Sequence, residues 1–280
     1  MVDGELEVSS WEFTQELLER RIDLILDETF SDQPPKLYLT NSAWLNTMLN
    51  RRDRLWAPER EYVPNFRIAA AEGGEEKVYK GGRKVEKPFH YYNLLAYMLS
   101  SYDCVVSRDG LEADDLMCIE QISRLDKENT IICSRDKDLR QCHGWYYSWE
   151  VGKQASVGPL LIEGVGDLTP KWKATKTGKS IDKMLGTGPK FFYYQMLVGD
   201  AVDNIAGLYG YGPAFAYNLL RDCTTERECY EAVAECYRKE HGDSWKDKIT
   251  TQARLLWLIK KVDDNGNPIW WQPPRRVESV

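Results

Sequence analysis

Histidine is scarce in this sequence. Three in 280 residues are too few to expect a histidine-built zinc centre or histidine general-base catalysis. The seven cysteines (Cys104, Cys118, Cys133, Cys142, Cys223, Cys229 and Cys236) form no Cys-x-x-Cys pair, and an odd count does not close a disulfide framework. They read as reduced, mostly buried, small apolar residues. No apolar run approaches the ~20 residues of a membrane-spanning helix. The opening Met1-Val2-Asp3-Gly4-Glu5 is acidic, unlike a secretory signal, so a cytoplasmic protein is expected. Internal repeats and flexible linkers are also lacking. A basic excess is missing too: the formal net charge is −7, which taken alone points away from nucleic acid.

What is present begins with a folded composition, 42% hydrophobic and 12% aromatic, in a chain long enough for one large domain or two small ones. Its most informative stretch runs from Gly110 to Asp203. Leu111-Glu112-Ala113-Asp114-Asp115 opens a helix, Ser134-Arg135-Asp136-Lys137-Asp138 follows an apolar strand, and Gly199-Asp200-Ala201-Val202-Asp203-Asn204 follows another apolar run. Acids in a first turn are also ordinary helix caps, but three clusters at three element ends exceed what capping requires. Seven carboxylates brought to one point repel unless something positive lies between them, and hard divalent cations with oxygen ligands meet that need. These seven carry as much negative charge as the whole formal excess, so net charge does not decide against a phosphate-bearing partner.

The alternation of elements gives the fold class. A capping box at Ser9 and Glu12 starts a helix to about Asp27 with Trp11, Leu17, Leu18, Ile22 and Ile25 as its stripe. Strands are expected at 36–40, 104–106, 130–133 and 145–149, with helices at 89–99 and 110–125 between them. Apolar strands alternating with amphipathic helices predict an α/β fold with a mainly parallel central sheet and helices on both faces. Ligands of such sheets lie beyond the carboxyl ends of the strands, where Asp136 and Asp138 fall. Residues 151–190, rich in Gly, Lys and Thr, read as a surface loop. Thr177-Gly178-Lys179-Ser180 looks like the end of a phosphate-binding loop, but Lys173 stands where that motif needs its first glycine. The aromatic helix 190–198 reads as core, and helices near 225–240 and 245–261 precede a short strand at 268–271.

Two basic stretches allow two readings each. From Asn41 to Arg67, five arginines and two tryptophans form either a solvated insertion or a flap that grips phosphates and stacks on bases. Around Gly81-Gly82, four lysines and Arg83 are either plain surface or a helix-like turn with Lys80 and Arg83 on one face. Beyond Asp203, glycines 207, 210 and 212 make a tight turn before Pro213. Its free amides suit phosphate, or its carbonyls a monovalent cation that binds phosphate.

Many carboxylates, a Lys/Arg pair and a phosphate-binding turn together point to metal-assisted phosphodiester hydrolysis. In order and spacing, Asn65-Phe66-Arg67, Tyr79-Lys80-Gly81-Gly82-Arg83, Glu112-Ala113-Asp114-Asp115, Asp136-Lys137-Asp138, Gly199-Asp200-Ala201-Val202-Asp203-Asn204-Ile205 and Gly207-Leu208-Tyr209-Gly210-Tyr211-Gly212 resemble the metal-dependent 5′-nucleases. That family includes flap endonucleases and the 5′→3′ exonucleases of bacteria and phages, those of T-odd bacteriophages among them. The resemblance covers about residues 65–275. It implies a PIN-like core over 1–190 with an arch or insertion at 41–88, and a DNA-binding region over 191–280 with a helix-three-turn-helix module around 203–220. It implies Mg²⁺ or Mn²⁺, as two ions, held by Glu112, Asp114, Asp136 and Asp138 with Asp115, Asp200 and Asp203 in the same cluster. Lys80 and Arg83 would meet the scissile phosphate. Arg67, Lys84 and the glycines 207, 210 and 212 would meet DNA, with K⁺ at the glycine turn. The implied substrates are duplex 5′ ends and flaps, and RNA in RNA–DNA hybrids.

Three features depart from the family pattern. Only Met1 and Val2 precede Asp3-Gly4-Glu5, leaving no room for the family's first strand and its metal-binding Asp, so a separate polypeptide supplying that strand is one expectation. Asn41 stands at a second family Asp. Pro213-Ala214-Phe215 lacks the lysines often found at the start of the module's second helix. A DNA-junction-binding protein with weak or no nuclease activity is therefore the competing expectation.

Overall fold

The computed structural model describes residues 8–54, 58–67, 86–127, 129–175 and 178–275. The first helix, α1 (Trp11–Glu28), starts one residue later than the capping box requires. Ser10 is the N-cap, and its Oγ accepts from the Phe13 amide at 3.1 Å. The third helical residue is then Phe13 rather than Glu12, so no carboxylate returns the bond. The stripe is also shallower than expected: Leu17 is exposed and no α1 residue is fully buried. Trp11 nevertheless packs edge-on against Tyr97.

Strand β1 (Lys36–Leu39) leads into α2 (Ala43–Asp53), and α3 (Tyr91–Ser101) leads into β2 (Asp103–Val106), which pairs in parallel with β1. Helix α4 (Ala113–Arg124) is followed by β3 (Ile131–Cys133), a short 3₁₀ turn at Asp138–Gln141, and β4 (Gly144–Ser148), parallel to β3. β5 (Val157–Ile162) turns back antiparallel to β4, as a connection too short for a crossover requires.

Both pairs are parallel, as a mainly parallel sheet requires, but among the described residues they do not form the one continuous sheet expected. β2–β1 and β3–β4–β5 are separate sheets. Helix α4 packs on both β1 and β3, one strand from each half. Its Glu120 accepts from Lys36 Nζ at 2.7 Å and from the Tyr38 hydroxyl of β1. The next residue, Gln121, donates to the carbonyls of His143 and Trp145, at 2.9 and 3.2 Å, on and beside β4. One helix thus joins both half-sheets through adjacent side chains.

The expected surface loop at 151–190 is instead β5 and an antiparallel hairpin of β6 (Leu168–Thr175) and β7 (Gly178–Gly186). Leu168, Pro170 and Trp172 alternate along one strand, opposite Gly186, Met184 and Ile181. Lysines on the solvent side of this ribbon hide the alternation. Gly178, Lys179 and Ser180 belong to β7, extended backbone rather than a loop opening a helix.

Helix α5 (Gly188–Val198) is buried from Gly188 to Leu197. Its Phe191, Phe192, Tyr193, Met196 and Leu197 form the centre of the larger core, with α6 (Pro213–Leu220), α7 (Glu226–His241) and α8 (Trp245–Leu256) packed round it. β8 (Gly199–Asp200) and β9 (Ile205–Ala206) close a small antiparallel turn after α5. Helix α8 ends at Leu256, short of the expected 261, because Trp257 is extended and Leu258 and Ile259 run on into the interior. The expected strand at 268–271 reduces to one bridge, Val262 to Pro268, with Trp271 buried against Phe192. All seven cysteines are free thiols. No helix among the described residues is long and apolar enough to cross a membrane.

Candidate active site

The acids gather in two groups on either side of the carboxyl end of α8. At a helix end the last carbonyls have no intrahelical donor. Here side chains satisfy two successive ones: Gln141 Nε2 donates to Leu256 O at 3.2 Å, and Arg67 Nη2 donates to Trp257 O at 2.7 Å. Gln141 belongs to the Asp136–Asp138 side and Arg67 to the α4 side.

On the α4 side, Asp115 is completely buried and Glu112 nearly so. Arg67, only 2% exposed, donates to Asp115 Oδ1 and Oδ2 at 2.8 and 3.0 Å and to Glu112 Oε2 at 3.1 Å. Asp115 also accepts from the amides of Glu112 and Ile259, each at 2.9 Å. A fork of guanidinium on carboxylate with two backbone donors holds the start of α4 to the chain beyond α8. Arg67 was expected on the DNA face; its place is interior, because two buried carboxylates need its charge more than solvent does. Asp114 stands half-buried in the same first turn. Asn41, just after β1, donates to Asn46 and holds Ser42 N and Ser107 Oγ.

On the other side, the chain leaves β3 in a tight polar turn. Ser134 Oγ accepts from Asp136 N at 3.0 Å and Asp136 Oδ1 from Asp138 N at 2.9 Å, while the Tyr146 hydroxyl reaches the carbonyls of Ser134 and Asp136. This directs Asp136 and Asp138 toward Asp200 and Asp203 at the end of α5. Gln195 Nε2 donates to Asp138 Oδ1 at 2.7 Å and, more weakly at 3.5 Å, to Asp200 Oδ2. Lys137 Nζ binds the same two oxygens, Asp138 Oδ1 at 2.9 Å and Asp200 Oδ2 more closely. Asp136 is itself exposed, but desolvation by the groups around it, then the neighbouring Asp138 and Asp203 carboxylates, hold its carboxyl above its ordinary range.

An all-oxygen donor set in which like charges crowd one another is what a hard divalent cation relieves. Asp136, Asp138, Asp200 and Asp203 fit such an ion in kind. As the side chains stand, no group of three or more His, Cys, Asp or Glu among the described residues is drawn together to hold one. Lys137 occupies the space between Asp138 and Asp200.

Lys80, Arg83 and Lys84 lie outside the described residues. The glycine turn has three distinct members. A Cβ on Gly207 would lie 2.4 Å from Leu197 O and Val198 C, so Gly207 permits close packing on α5. Gly210 takes a left-handed φ of +84°, and Gly212 is the N-cap of α6 with open space around it. Tyr209 at the tip is 94% exposed.

The sequence reading missed Lys137 and Gln195 as members of the site. The Asp-Lys-Asp order was a signal for Lys137, since a residue between two converging carboxylates cannot be far from them. Gln195 carried none, because its approach depends on how α5 ends at Gly199.

With this geometry established, comparison with known proteins gives a class: the chain is similar in sequence to bacterial 5′-3′ exonucleases and to DNA polymerase I. It is 34% identical over 125 residues to a 5′-3′ exonuclease of Mycoplasma pneumoniae, covering 43% of this chain and 38% of that protein. It is 25% identical over 200 residues to DNA polymerase I of Bacillus subtilis, covering 66% of this chain and 20% of that one. The chain therefore spans well under half the length of either relative. A solved structure of T5 5′-exonuclease with bound zinc aligns with a TM-score of 0.40 and 13% identity, over 79% of this chain and 86% of that one. No protein-family model matches.

Proposed function

We propose that this protein is a divalent-metal-dependent 5′ nuclease that hydrolyses phosphodiester bonds of DNA from 5′ ends and at flaps, and of RNA in hybrids. The observation that carries this reading is that Asp138 and Asp200 share one cation and one amide, Lys137 Nζ and Gln195 Nε2, with Asp136 near enough to feel the charge of Asp138 and Asp203. Sequence similarity to 5′-3′ exonucleases supports it independently. These four carboxylates would hold Mg²⁺ or Mn²⁺, with Glu112, Asp114 and Asp115 contributing from the α4 side. Bound there, two ions would supply an activated water and charge for the departing oxygen.

The chain's own residues do the positioning. Gln195 and Tyr146 orient the Asp136–Asp138 turn, and Arg67 keeps the first turn of α4 rigid by engaging Asp115. Lys80 and Arg83 would add charge at the scissile phosphate. The 207–212 turn, with or without K⁺, would hold duplex backbone through amides, with Lys84 beside the substrate. Recognition of this kind reads ends and junctions through the backbone rather than sequence. Among the described residues, one edge each of β1 and β3 carries no strand, which supports a further expectation, an added extended strand from another segment or polypeptide.

The second reading is a junction-binding protein with little cleavage. It is favoured by Asn41 and by a lysine standing among the acids. Incubation of 5′-labelled duplex and flap DNA with Mg²⁺ separates the two. The nuclease reading expects cleavage well above an Asp136→Ala control, and binding without cleavage above that control would sink it.

A further inference from the structure

Lys137 is the one residue of the Asp136–Asp138 turn that carries a metal's sign of charge. Its side chain is 39% exposed, yet the ammonium does not reach outward as a surface lysine's would. It folds back between Asp138, whose side chain is 20% exposed, and Asp200, 4% exposed. It contacts the very oxygens, Asp138 Oδ1 and Asp200 Oδ2, that Gln195 Nε2 also engages. A carboxylate oxygen has lone pairs enough to keep the neutral amide of Gln195 while binding an ion. It cannot keep an ammonium in the same gap, since two cations a few ångströms apart repel strongly in a partly buried site.

We infer that Lys137 is a tethered counterion: it holds Asp138 and Asp200 together in the metal-free protein, and it must withdraw when a divalent cation enters between them. The inference rests on the proposed metal site and adds to it a residue that sets the affinity of that site. Two consequences follow. The carboxylates remain assembled without metal, because one positive charge is always at hand. Each binding event must displace that charge, which weakens binding relative to an otherwise identical site with no lysine.

The test is Mn²⁺ binding, read by electron paramagnetic resonance or calorimetry on the full chain, for wild type, Lys137→Met and Lys137→Arg. Thermal melts with and without Mn²⁺ accompany each. Lys137→Met, nearly isosteric but uncharged, is expected to bind Mn²⁺ about tenfold more tightly, to melt lower without metal and to show a larger metal-induced rise. Lys137→Arg should stay near wild type. Equal or weaker Mn²⁺ binding by Lys137→Met, with wild type binding normally, overturns the inference alone. Wild type that binds no Mn²⁺ overturns the metal reading and the inference with it. If Lys137→Met does not fold, the wild-type protein suffices. Acetylation of Lys137, followed by peptide mass spectrometry, should rise severalfold on adding Mn²⁺, and unchanged labelling contradicts the inference.

Discussion

Arg67 shows how much one side chain decides here. It is buried with two carboxylates and a backbone carbonyl as partners, so removing it leaves uncompensated charge in the interior. Arg67→Met is expected to cost about 3–5 kcal/mol in urea unfolding, in the range for breaking a buried ion pair by removing one partner. A loss under about 1 kcal/mol would mean the network is not as drawn. Glu120 makes a pH-dependent contribution. Burial raises its pKa, but hydrogen bonds from Lys36 and Tyr38 outweigh that and leave it below the ordinary 4.5. A depressed carboxylate adds stability that is fully present above its unfolded value and lost as pH falls through the folded one. Glu120→Gln should therefore lower stability at neutral pH and show a shallower loss below about pH 4.5 in melts over pH 3–7. An unchanged acid slope would contradict the assignment. At this scale the spacing of the acids is plain in the sequence and their partners are not. Asp-x-Asp and Asp-x-x-Asp spacings are visible in one dimension, whereas Arg67 reaches Asp115 across 48 positions through a fold that no local pattern encodes.

Elements were legible where burial wrote a clean period. Helix α5, with aromatics on every side, could only be core, and β1 to β4 stand within a residue or two of their expected places. The hairpin β6–β7 was not legible, since a ribbon with one wet face and a lysine-rich tip shows little alternation. Nor was the end of α8, which is set by Ile259 N reaching Asp115 rather than by a stop signal of its own. The glycine turn divides likewise. Gly207→Ala places a methyl 2.4 Å from backbone atoms at the end of α5 and should destabilise by more than about 2 kcal/mol, as overpacking against rigid backbone does. Gly212→Ala, with open space around it, should cost under about 1 kcal/mol. Denaturant titration of the pair checks both, and equal losses would contradict the distinction.

At the scale of the whole molecule, two half-sheets and a helical core meet at a line of carboxylates, joined by α4 above and the end of α8 between. The parallel strands, the helical C-terminal part and the three acid clusters were readable from sequence because each repeats a local rule. The break between the half-sheets was not, because it concerns which edges pair. The central claim is that the Asp136–Asp138 and Asp200–Asp203 carboxylates form a metal-dependent hydrolytic site. The most direct measurement is the single-turnover cleavage rate of a 5′-flap DNA as Mg²⁺ is titrated from none, for wild type and Asp138→Ala, with DNA binding measured in parallel. The rate is expected to be nil in EDTA, to saturate with Mg²⁺ and to fall at least about 10²-fold in Asp138→Ala while binding is retained. Cleavage indifferent to Mg²⁺, or equal in the two proteins, would contradict the central claim.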